Sequence, residues 1–235
     1  MAIKPILFNT EMVQAIIQGQ KTQTRRIIKG IECLNVYRAV PAEDAYETLG
    51  KWDFFHGWSE NGAMIDAVEE IKAPYSVGDV LWVRETWDKA PESSRNVFHE
   101  VYYYKADGDL RPESWQSNWH PSIHMPKEAA RIFLKVKGVR VERLQDITPE
   151  EVEAEGTDMD AWYEHDEWQH QVGDGFVADE TTVVFETLCG FFGHRVWDNT
   201  MQSLEQYEKY GWDANPWVWV IEFERCEKPN EWSKV

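Results

Sequence analysis

An amine, two hydroxyls and two guanidiniums fall within eight residues at Gly19-Gln20-Lys21-Thr22-Gln23-Thr24-Arg25-Arg26. Lys21 and Thr24 are three apart, so a helical or 3₁₀ turn after Gly19 would point both side chains the same way. In that arrangement they make a base and a nucleophile. An amine takes a hydroxyl proton only when burial or nearby cations bring its pKa toward neutrality, and Arg25 and Arg26 are placed to do so. The plainer reading of the same run is a basic surface loop.

Two carboxylates stand out further along. Glu155 ends a short helical segment, where a negative charge is unfavourable against the helix dipole and so is odd for a merely solvated residue. Glu85 lies in Val80-Leu81-Trp82-Val83-Arg84-Glu85-Thr86-Trp87, whose alternation reads as a strand with Arg84 and Glu85 on opposite faces. Its plain alternative to a site role is an ion pair with Arg25 or Arg26. His120 and His124 are four apart, but Pro121 argues against the helix that would align them on a metal. His165 and His170 do not share a helix face, which favours a solvated surface. No metal and no cofactor are expected.

The elements that must position these groups are legible in outline. Ile3 to Phe8, broken by Pro5, reads as a first strand near an edge. Asn9 and Thr10 offer N-cap oxygens, Met12, Val13, Ala15, Ile16 and Ile17 give an apolar helical stripe, and Gly19 stops it. Two aromatic segments, about 30–76 and 157–182, read as insertions, the first with room for a hairpin and the second acidic. A second aromatic strand is expected over Val101 to Lys105, and two prolines hold Trp119 to Pro126, including Ser122, out of helix. A long strand bends at Gly138, and Thr148-Pro149-Glu150-Glu151 is a capping box opening a helix that Gly156 ends. Val183 to Leu188 leads to a helix around Arg195 to Tyr210, and Asn215-Pro216 opens a last strand. This order fits a single α+β domain over 1–235, a compact barrel with flanking helices.

A net charge of −18 together with 13 Trp bounds the partners. Such acidity repels polyanions, so non-specific binding to duplex DNA is disfavoured, whereas a small nucleoside or a single-stranded RNA held by stacking is compatible. Cys33, Cys189 and Cys226 lack CxxC spacing, and reduced thiols are the default. No apolar run approaches about 18 residues, so a soluble, cytoplasmic protein without a membrane partner is expected.

The opening KPILFNTEMVQAIIQGQKTQTRR resembles the start of an ASCH domain, a branch of the PUA-like superfamily, and most of all its phage and prophage members. VGDVLWVRETW at Val77 to Trp87, RIFLKVKGVRVERLQDITPEEVEAEG at Arg131 to Gly156 and NPWVWVIEFERC at Asn215 to Cys226 extend the resemblance in order along the chain. It implies a PUA-like β-barrel with a cleft against its helices. One branch of the family comprises small amidohydrolases of N4-acylated cytidine that use a GxKTxTxR motif and a glutamate on a short helix. On that resemblance Lys21 is the base, Thr24 the nucleophile and Glu155 the acid, with Arg26, Asn9, Arg84, Glu85, Trp87 and Ser122 as substrate-binding candidates. Lys127-Glu128-Ala129-Ala130 departs from the usual continuation of the loop after Pro126. Two other functions fit the family: a module that recognises RNA or a modified base by stacking on Trp82 or Trp87, and a ribonuclease.

Overall fold

The computed structural model describes residues 1–31, 36–41, 51–60, 63–90, 101–112, 117–175, 187–230 and 232. Cys33, the run Val183 to Glu186 and the side chain of His170 lie outside the described residues. The fold is mixed α+β. Its largest sheet has five strands in the order β1-β6-β9-β10-β2: β1 (Ile3–Leu7), β2 (Gln23–Ile27), β6 (Val80–Arg84), β9 (Phe133–Arg143) and β10 (Trp217–Cys226). A three-stranded sheet is formed by β3 (Val36–Pro41), β4 (Lys51–Glu60) and β5 (Ala63–Lys72), and a two-stranded one by β7 (Trp87–Lys89) and β8 (Tyr102–Tyr104). The helices are α1 (Thr10–Ile17), α2 (Pro149–Ala154), α3 (Met159–Gly175), α4 (Leu188–Phe191) and α5 (Leu204–Tyr210).

The chain divides into two compact units, Met1–Thr22 with Tyr75–Gly138 and Glu222–Val235, and Gln23–Pro74 with Val139–Ile221. The division falls inside β9 and β10 and also between Thr22 and Gln23.

In the first unit β1 runs parallel to β6, pairing Ile3 with Val80 and Leu7 with Arg84. Pro5, which has no N–H to give a ladder, is tolerated because β1 is an edge strand. Asn9 caps α1 by accepting from the Met12 N–H at 2.8 Å, and Val13, Ala15 and Ile16 are its buried face. Gly19 then takes φ +80°, and the Gln20 and Lys21 N–H groups both return to the Ala15 carbonyl. The core here gathers Val80, Trp87, Met125, Ala129, Ala130, Phe133 and Trp232. Gly138 permits the close approach of β10, because a Cβ there would lie 2.9 Å from a Glu222 carboxylate oxygen.

The strand expected over Val80 to Trp87 stops at Arg84. Trp87 instead belongs to β7, paired with Tyr104 of β8, and exchanges backbone hydrogen bonds with His120. Between the two strands the Glu85 N–H donates to the Met125 sulfur. The competing partners of Glu85 and Trp87 thus take the chain out of the larger sheet.

In the second unit the segment read as an insertion at 30–76 carries the whole of the β3-β4-β5 sheet, antiparallel throughout. Phe54 on β4 is fully buried and meets Trp217 and Trp219 of β10 edge-on. A second core joins Leu144, Ile147, Val152, Phe192, Trp197, Val218 and Val220. The helix expected around Arg195 to Tyr210 is broken: α4 passes into a π-helical turn at Phe192–Trp197, then a 3₁₀ turn, and α5 starts afresh from the Ser203 cap. The break follows from packing. Trp212 lies against Gly193, and the Trp212 N–H donates to Asp198 Oδ1 at 2.7 Å.

Candidate functional site

Lys21, Thr24 and Glu155 are each buried, at 3%, 1% and 7% exposure. Residues of these types usually face water, and a buried polar group is costly unless it is engaged. Lys21 belongs to the first unit, and its Nζ lies 5.7 Å from the centre of the Phe8 ring. The turn that would align it helically with Thr24 does not form, because the ladder to β10 begins at once: the Phe223 N–H donates to the Thr22 carbonyl at 2.8 Å and Gln23 opens β2.

Thr24 and Glu155 belong to the second unit. β2 alternates, so Thr24 and Arg26 share one face and Gln23 and Arg25 the other. Arg26 donates to Thr24 Oγ1 at 2.8 Å and to the Arg25 carbonyl at 2.9 Å. The nucleophile candidate is therefore an acceptor in one bond and keeps its own proton to give. On the other face Gln23 donates to the Glu151 carbonyl at 3.0 Å, and Arg25 reaches Glu155 Oε1 at 3.0 Å, Glu151 Oε2 at 2.9 Å and Glu142.

Arg25, which the sequence reading set beside Lys21 as a nearby cation, has its guanidinium committed to three carboxylates. Arg140 joins the same group through Glu142 and Glu151. Glu151 also completes the capping box, its Oε2 accepting from the Thr148 N–H at 3.1 Å. Glu155 is the C-cap of α2, and Gly156 after it takes φ +75°. Its unfavourable place at the helix terminus is answered by Arg25. Two buried polar atoms in this region have no partner among the described residues, Arg25 Nε and Thr157 Oγ1.

The other sequence candidates all lie in the first unit. Asn9 is occupied as a helix cap. Glu85, 1% exposed, receives both Nε and Nη2 of Arg131 at 2.9 and 2.8 Å, and burial pushes its carboxyl above the usual range in spite of that partner. Its ion pair is therefore with Arg131, not with Arg25 or Arg26, because Glu85 lies beyond the end of β6 beside the start of β9. Arg131 also binds Asp107 at 2.6 Å and covers the ring of Tyr104. Tyr104 donates to the Ala129 carbonyl at 2.6 Å, and burial pushes its phenol up to about 12.

Arg84 donates to the Ile123 carbonyl and lies over Trp82 at 5.6 Å, while Ser122 is half-buried in the 3₁₀ turn Ser122–His124. Trp87, 9% exposed, is stacked on His120 with centroids 4.9 Å apart. A base stacking on that face would have to displace His120.

Sequence reading missed Arg131, Arg140, Glu142 and Glu151 as partners. The only available signal was charge at alternating positions of strands that must also bury a face, Arg25 on β2 and Arg140 and Glu142 on β9. Among the described residues no helix is long and apolar enough to cross a membrane. No family model, curated protein or solved structure matches the chain.

Proposed function

We propose that the chain is an ASCH-type protein with a PUA-like barrel, acting in the cytoplasm as a metal-independent amidohydrolase on N4-acylated cytosine nucleosides or a closely related modified base. The observation that carries this reading is the burial of the three residues the motif singles out: Lys21, Thr24 and Glu155 are all at least nine-tenths buried in a chain of net charge −18. Reactive side chains held out of water are where strongly perturbed chemistry concentrates.

In the proposed reaction Thr24 Oγ attacks the acyl carbon while Lys21 Nζ, uncharged, takes the hydroxyl proton. The tetrahedral intermediate collapses, the bond from the acyl carbon to N4 breaks, and Glu155 gives a proton to the departing amine. Water, giving a proton to Glu155, then adds to the acyl-threonine ester; as the bond from the acyl carbon to Oγ breaks, Lys21 returns its proton to Thr24, which releases the carboxylic acid and restores all three groups. Arg26, already on Thr24 Oγ1, supplies positive charge where the oxyanion grows.

The test is release of acetate from N4-acetylcytidine by purified protein in the presence of a chelator. Turnover is expected in wild type, with kcat/KM lowered by about a thousandfold or more in Lys21→Ala and Thr24→Ala. Wild-type protein that leaves N4-acetylcytidine intact but binds a single-stranded RNA or a modified base tightly would refute the enzyme and favour a recognition module.

A further inference from the structure

Arg25 stands at the centre of a charge cluster of which the proposed reaction uses Glu155 alone. Its side chain is 1% exposed, and its partners come from β9 and from both ends of α2. Nη2 is held by Glu151 of the first turn and by Glu142, and Nη1 by Glu155 at the last. A guanidinium is planar and its donors are fixed relative to one another, so anchoring Nη2 on two carboxylates also fixes the direction in which Nη1 points. Glu155, for its part, sits where a helix repels anions and where the chain reverses at Gly156.

We propose that Arg25 is a positioning residue that fixes the carboxylate of Glu155 for proton delivery. The chemistry of this inference rests on the amidohydrolase reading, while its geometry does not. Three carboxylates, Glu142, Glu151 and Glu155, meet two guanidiniums, Arg25 and Arg140, so the cluster carries one surplus negative charge when all are ionised. Neutralising Arg25 would raise that surplus, so a fall in activity after neutralisation alone would not separate placement from charge. Lysine keeps the charge but cannot reproduce the fork, because an ammonium is a single point on a flexible stem.

The experiment combines kinetics on N4-acetylcytidine with crystal structures for wild type, Arg25→Lys, Glu142→Gln and the charge-balanced double variant Arg25→Gln/Glu142→Gln. Arg25→Lys is expected to lower kcat by about tenfold or more, as a misplaced catalytic group does, with KM within about twofold. Its Glu155 carboxylate should be displaced by about 1 Å or more. Glu142→Gln loosens the same cluster but leaves Arg25 on Glu155, and its kcat should stay within about threefold.

An unchanged kcat in Arg25→Lys overturns the inference, and so does an equal fall in Glu142→Gln. If Arg25→Lys does not fold, the double variant decides by the same criteria, since it keeps the cluster's net charge. If wild type itself does not turn over, the amidohydrolase reading fails and the crystal structures decide the positioning alone: Glu155 unmoved in the Arg25 variant overturns it, and Glu155 displaced upholds it.

Discussion

Glu85 and Arg131 show what a single buried ion pair costs and contributes in this chain. Desolvating two charges is expensive, and the mutual attraction offsets that only while both partners are present. Arg131→Ala leaves the Glu85 carboxylate buried at 1% exposure without its fork, and a loss of about 3–5 kcal/mol is expected in urea unfolding at pH 7. The pH dependence follows from the direction of the shift. Burial raises the folded-state pKa of Glu85 above its ordinary value of 4.5, so its contribution to stability is fully present below that value and is lost as pH rises through the folded pKa. Removing the arginine deepens this dependence, so the loss in Arg131→Ala should be smaller at pH 4 than at pH 7. An equal loss at both pH values would contradict the assignment.

At the scale of elements, the distance over which a signal acts decides what can be read without coordinates. α1 and α2 announce themselves locally, by Asn9 and Gly19 at one and by Thr148, Pro149, Glu151 and Gly156 at the other, and both form with those caps. The interrupted stretch from α4 to α5 does not, because its cause is Trp212 lying on Gly193, nineteen residues apart, and periodicity over Arg195 to Tyr210 holds no trace of that contact. Arg25 is the extreme case. Its three carboxylate partners are 117, 126 and 130 residues distant, so its type and strand position were visible while its role was not. The packing at Gly193 is open to test. Any Cβ there would lie 2.1 Å from the Trp212 ring, and Gly193→Ala should therefore cost about 1–3 kcal/mol or more through overpacking. Calorimetry that found no fall in Tm would show that Trp212 is free to move aside.

For the whole molecule the dominant quantity is the charge of −18. Self-repulsion at that density opposes compaction and is screened within a Debye length of about 8 Å at physiological ionic strength. Tm is expected to rise by a few degrees between about 10 and 150 mM sodium chloride, and a flat or falling Tm over that range would contradict a repulsive origin. The same field disfavours long polyanions.

The chain passes from one compact unit to the other after Thr22, after Pro74, after Gly138 and after Ile221, four crossings in all. Neither unit is a continuous stretch, and two of the crossings lie inside strands β9 and β10 rather than in loops. Dissection by truncation will consequently not deliver half of this protein: every cut that frees one end of a unit removes part of the other. Heredity meets the same restriction as the laboratory, for recombination cannot exchange either unit as a cassette: the first is carried on three separate segments and the second on two.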